Sequence, residues 1–203
     1  MLAALRTAVL VGIEASLVRV EVDVAFGLPS FSVVGLPDAS IRESRDRVRS
    51  AVQNVGLEFP LRRITVNLAP ADLRKVGTSL DLPIALGVLA AAGFLKRRDM
   101  TDTVVVGELS LDGQIQPSRG TLPVALATRA AGLRALVLPA ACAPEAQLVP
   151  GLRSIPVDAL PAAVAAINDP DTALTSRVAL ATAAPSPSPT PLDLADVRGQ
   201  ALA

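Results

Sequence analysis

The run Lys75-Val-Gly-Thr-Ser-Leu-Asp81 places a serine, Ser79, between a lysine and a carboxylate. A serine hydroxyl is a poor nucleophile until a base takes its proton. The chain holds no His and no Tyr, and Arg stays protonated and cannot serve. Lys75 is four residues before Ser79 with Gly77 between them, and the only other lysine, Lys96, lies at the far end of a helix expected to start near Asp81. Ser79 is therefore expected to be a hydroxyl near a helix start, helping Asp81 cap it. Asp72 and Asp81 read as capping or solvated carboxylates, and Glu108 as a hydrogen-bonder to a turn. The single Cys142 excludes an internal disulfide and a Cys-based zinc site, and reads as a buried thiol. No catalytic residue and no metal ligand set is assigned.

Three short clusters, Arg62-Arg63, Arg74-Lys75 and Lys96-Arg97-Arg98, could neutralise phosphates without reading sequence. The formal net charge is zero, which favours an ordinary solvated surface. Aromatics make up 2% of the chain, with no Trp and no Tyr, which argues against single-strand binding by base stacking. The few Phe side chains have apolar neighbours and are expected to be mostly buried. No export signal is expected from the start of the chain, and the uncharged apolar run Leu82–Leu95 is shorter than the roughly 20 residues of a membrane span. A soluble, cytoplasmic protein is expected.

These residues need elements to position them. Val18 to Val24 alternates apolar and charged side chains, the signature of a half-buried strand. Residues 5 to 34 as a whole read as an antiparallel meander with one wet face. Gly35-Leu-Pro-Asp38 stops the sheet, and Asp38 or Ser40 caps a helix with Ile41, Val48, Val52 and Val55 on one stripe and a charged remainder, ending at Gly56. Arg63–Leu68 is a strand. A helix over about 82 to 95, apolar all round, should be central. Strands follow at Thr103–Val106, near Ile115, at Ala135–Leu138 and near Ile155, with helices at about 121–131 and 158–167. The fold class is α+β, a mixed sheet with packed helices mostly on one face. Residues 1–170 form the domain. Residues 171–191 are a Pro/Ser/Ala-rich linker whose last nine residues, Ala183–Pro191, could extend roughly 28 Å at about 3.1 Å each. Residues 192–203 are too few to fold alone.

Three segments carry a resemblance. FSVVGLPDASIRESRDRVRSAV (Phe31–Val52) and ITVNLAPADLRKVGTSLDLPIALGVL (Ile64–Leu89) resemble the ComM/YifB family, also labelled magnesium-chelatase-like (ChlI-like), and GELSLDGQIQP (Gly107–Pro117) is shared more widely with Lon and RadA domains. LDLADVRGQ (Leu192–Gln200) is similar to the segment that opens this family's AAA+ ATPase module. The resemblance implies a Lon-protease-like fold, the ribosomal-protein-S5-domain-2-like sandwich, at the amino terminus of a hexameric AAA+ ATPase associated with DNA branch migration in recombination and natural transformation. ATP and Mg2+ are expected for the ATPase module, whose GxxxxGK[ST] motif does not occur in these 203 residues.

The same resemblance places Ser79 where Lon has its nucleophile. Lon's base lies on the helix corresponding to the one near Thr121, where the inward candidates are Leu122 and Val124. Neither can accept a proton. The family role suggests that Arg62, Arg63, Arg74 and Lys75 line a DNA-facing surface repeated around a homo-oligomeric ring. Two alternatives to a non-catalytic domain of the motor stay open: an active Lon-like serine peptidase, and a stand-alone interaction module from a truncated gene.

Overall fold

The computed structural model describes residues 1–133 and 135–169. The proposed linker and the LDLADVRGQ segment lie outside the described residues.

Strict alternation in β2 (Glu14–Ala25) buries Val18, Val20, Val22 and Val24 on one face, and β1 (Leu2–Val11) pairs with it antiparallel through a Gly12 turn. The next strand departs from a meander. β3 (Ser30–Val34) does not return to β2; β4 (Arg63–Ala69) inserts between them, antiparallel to β2 and parallel to β3. The crossover between β3 and β4 is α1 (Ala39–Asn54), the kind of helical connection that parallel neighbours require. β5 (Asp99–Val105), β8 (Ala135–Pro139) and β9 (Arg153–Val157) continue the sheet in parallel, giving the order β3-β4-β2-β1-β5-β8-β9. A small hairpin, β6 (Glu108–Leu109) and β7 (Ile115–Gln116), stands apart.

α1, α2 (Asp81–Ala92) and α5 (Leu160–Asn168) pack on the face made by Leu5, Val9 and the β2 valines. α3 (Thr121–Ala130) and the short α4 (Ala143–Ala146) cover the Ala8, Val104 and Leu136 side, so the other face is also partly closed. The architecture is α+β, with a seven-stranded mixed sheet between these helices.

α2 is apolar all round because it is buried all round. Gly87 lets it approach β2: a Cβ there would sit 2.6 Å from Val22 Cγ2. The Phe expectation holds only for Phe59. Phe31 is half-buried, Phe94 is exposed, and Phe26 is 84% exposed because it sits in the turn after β2, beyond the reach of the core. Cys142 is buried as expected. Among the described residues no helix is long and apolar enough to cross a membrane.

Candidate functional site

Ser79 lies in the loop between β4 and α2, and two sets of backbone bonds fix that loop. On one side Lys75 N–H donates to the Leu36 carbonyl (3.1 Å) and Asp38 N–H to the Lys75 carbonyl (3.0 Å). On the other, Gly107 N–H donates to the Ser79 carbonyl (2.9 Å) and Leu82 N–H to the Gly107 carbonyl (3.0 Å). Asp38 ties the loop to α1. It caps that helix by accepting from Ile41 N–H (2.9 Å), and also accepts from the Ser40 hydroxyl and Gly77 N–H. Burial raises the Asp38 pKa, but these donors outweigh it and hold the carboxyl below 3.8.

Ser79 opens onto a cleft of about 350 Å³ lined by Thr78, Glu108, Arg119, Thr121 and Val124 among others. Sequence reasoning did not assemble this set, because Thr78, Glu108 and Arg119 converge only through the bonds between the loops at 79 and 107. The signal that could have found them was GELS read together with KVGTSLD. Glu108 accepts a hydrogen bond from the Thr78 hydroxyl. On α3 the inward residues are Thr121 and Val124; Leu122 does not line the cleft and is 36% exposed, which corrects its placement as inward. The Thr121 hydroxyl is buried without a hydrogen-bond partner among the described residues, and a threonine there is no proton acceptor.

The expectation that Asp81 caps α2 fails. The cap position is Leu80, with no side-chain cap bond, and Asp81 is inside the helix. Its carboxylate, 1% exposed, is held by Arg47 of α1 in a bidentate pair, Nε to Oδ2 at 2.7 Å and Nη2 to Oδ1 at 3.0 Å. Arg47 Nη2 also donates to the Ser40 carbonyl, and Leu109 N–H reaches Asp81 at 3.4 Å. Arg47 thus ties α1 to α2 and is not part of a solvated face, and Asp81 carries the link on to β6. Burial pushes the Asp81 pKa up while Arg47 pulls against it, and the same contact raises the pKa of Arg47.

Of the four residues expected to face DNA, the structure withdraws one and separates the rest. Lys75 is fully buried, its ammonium donating to the Pro70 carbonyl, with its pKa lowered by burial. It therefore cannot line a surface, and it is turned to a backbone acceptor rather than to Ser79. Arg62 and Arg63 are exposed at the start of β4 and Arg74 is exposed beyond its end. Seven strand residues put roughly 20 Å between them. Strand alternation also divides the first pair. Arg63 shares the wet face with Thr65 and Asn67, while Arg62 lies in a groove beside α1 and over the Phe26 ring at 4.6 Å. No group of His, Cys, Asp or Glu among the described residues could hold a metal ion.

The family described as subunit ChlI of Mg-chelatase matches residues 20–142. The competence protein ComM of Haemophilus influenzae is 38% identical over 190 residues, covering 93% of this chain and 37% of that protein. YifB of Escherichia coli is 41% identical over 136 residues, covering 67% of this chain and 27% of its own length. A more distant match, Lon protease of Chloroflexus aurantiacus, is 28% identical over 130 residues, covering 61% of this chain and 16% of that enzyme. The chain thus spans little more than a third of the length of the longest-matching relatives, at 37%.

Proposed function

Because the chain belongs to the Mg-chelatase ChlI family, with ComM and YifB as homologues, we propose that it is a non-catalytic amino-terminal domain of a ComM-like AAA+ ATPase. That motor would be hexameric, cytoplasmic, and engaged in DNA branch migration during recombination and natural transformation. The observation that carries the non-catalytic part is the state of the Ser79 cleft. Lys75 is committed to the Pro70 carbonyl, Glu108 to Thr78, and the α3 residues facing the cleft are Thr121 and Val124. A protease-type scaffold in which the serine has no base is suited to assembly and binding rather than to peptide cleavage.

ATP and Mg2+ do not fit the described residues, which contain neither a phosphate-binding GxxxxGK[ST] loop nor a metal cluster. In this reading they belong to an ATPase module in a longer protein. DNA contact by the domain falls to Arg63 and Arg74, as separate phosphate contacts rather than one patch. In the assembled full-length protein, Arg63→Ala/Arg74→Ala should reduce the slope of log binding constant against log salt by about 2, one per phosphate contact for each protomer that touches the duplex. An unchanged slope removes this domain from the DNA interface. The wider role is tested on a four-way DNA junction with the full-length protein and with a version lacking residues 1–169. Loss of assembly and of junction turnover in the shortened protein supports the reading, and equal turnover contradicts it.

A further inference from the structure

β3 is the outermost strand of the sheet, and no strand among the described residues pairs with its outer edge. Ser30 N–H points inward to the Arg62 carbonyl at 3.3 Å. Strand alternation therefore turns the N–H and C=O groups of Phe31 and Val33 outward, away from β4. Exposed edges are ordinarily blunted by charge, proline or a bulge. The opposite edge follows that rule, since β9 carries Arg153 and Pro156. β3, with the sequence Ser-Phe-Ser-Val-Val, carries neither a charge nor a proline.

Beside this open edge runs a groove of about 140 Å³ whose apolar lining includes Phe31, Phe59 and Leu61. Its cationic lining is Arg45 and Arg49, one turn apart on α1, together with Arg62. Among the described residues no carboxylate lines it. Arg49 and Arg62 have no ion-pair partner among the described residues, and Arg45 is bridged only at 3.7 Å by the exposed Asp46. A free strand edge, apolar contacts and a cluster of three guanidinium groups together describe one kind of guest.

We propose that the β3 edge docks an extended peptide segment, added to the sheet as a further strand, whose groove-facing side chains at every second position include both apolar and acidic ones. Its backbone would bond to Phe31 and Val33, its apolar side chains would enter the groove, and its carboxylates would meet Arg45, Arg49 and Arg62. A nucleic-acid strand would satisfy the arginines but leave the outward groups of Phe31 and Val33 without ladder partners. This surface is separate from the Ser79 cleft and from Arg63 and Arg74, so it stands or falls independently of the role proposed above.

The test is fluorescence polarisation of the 203-residue chain with labelled acetyl-Val-Thr-Asp-Thr-Val-Thr-Glu-amide, whose apolar and acidic side chains share one strand face. The comparison probes are the same peptide with Lys at the acidic positions, the acidic peptide N-methylated at alternate residues in each of the two registers, and a 20-nucleotide oligo-dT competitor. The acidic peptide is expected to bind, and the Lys peptide and at least one N-methylated register are expected not to. Arg45→Glu/Arg49→Glu and Val33→Pro should each raise Kd at least tenfold, with circular dichroism confirming that each variant folds. If Val33→Pro does not fold, the N-methylated peptides carry the same question with the protein intact. Four results would overturn the proposal: no binding of the acidic peptide, equal binding of the Lys peptide, binding indifferent to N-methylation in both registers, or stronger binding of oligo-dT at this surface.

Discussion

Replacing Arg47 by Met keeps most of its aliphatic packing and removes the charge that Asp81 depends on. Asp81 is 1% exposed and has two charge-assisted bonds to Arg47 against one long bond from Leu109 N–H. Removing one partner of a buried pair typically costs 3–5 kcal/mol, because the remaining charge is left uncompensated. Arg47 is itself 21% exposed, so water partly enters and the lower end, about 3 kcal/mol, is expected. For a domain of this size that is a fall in Tm of about 6–12 °C.

The pH dependence of Arg47→Met follows from the direction of the Asp81 shift. The native pKa lies above the ordinary 3.8, so folding favours the protonated acid. Stability therefore falls as pH rises from 3.8 through the native pKa, and is level above it. Without Arg47 the native pKa climbs further and this fall deepens, by at most about 1.4 kcal/mol per pH unit. Thermal unfolding of the wild type and Arg47→Met, followed by circular dichroism at pH 5 and pH 8, should show the full loss at pH 8 and a smaller one at pH 5. Adding Asp81→Asn should recover part of the loss at pH 8. A gap under about 2 °C, or the same gap at both pH values, would refute the reasoning.

Lys75→Met tests the buried ammonium. The native pKa of Lys75 lies below its ordinary 10.5, so its charge costs stability below the native pKa and that cost is relieved as pH rises toward 10.5. Denaturant unfolding across the alkaline range should show a stability rise from this residue in the wild type that is missing in Lys75→Met. Gly35→Ala should be among the worst single changes. The residue has φ of 96°, and a Cβ would lie 2.0 Å from the Leu68 carbonyl oxygen, so a loss of about 2–5 kcal/mol is expected in urea unfolding. Gly87→Ala should cost less, about 1–3 kcal/mol in the same assay, because the first obstacle is a Val22 methyl rather than backbone.

The legible parts of the fold were those governed by local periodicity. The alternation in β2 and the all-round apolarity of α2 each have one packing solution, and both elements stand where the pattern placed them. The partner of β3 was not legible, because pairing with β4 is set by a crossover through α1 and not by any feature of Ser30–Val34 itself. Charge was harder still. Arg47 sits among Arg42, Arg45 and Arg49 in sequence and looks like one more solvated arginine; only the approach of α1 to α2 makes it the partner of Asp81. Lys75 is misleading for the opposite reason, since it neighbours the exposed Arg74 yet turns inward to a carbonyl. In the candidate site, Ser79 could be singled out from sequence, and the structure opens it onto the cleft. The companions that shape its cleft were harder to find, because Glu108, Arg119 and Thr121 lie 29 or more residues further along the chain.

The central claim, a protease-type scaffold without proteolysis, is tested most directly at Ser79 itself. The 203-residue chain and Ser79→Ala are incubated with a fluorophosphonate probe and, separately, with a fluorogenic casein substrate. No labelling at Ser79 and no Ser79-dependent cleavage is the predicted result. Labelling or hydrolysis that disappears in Ser79→Ala would contradict it and make the domain a working serine peptidase.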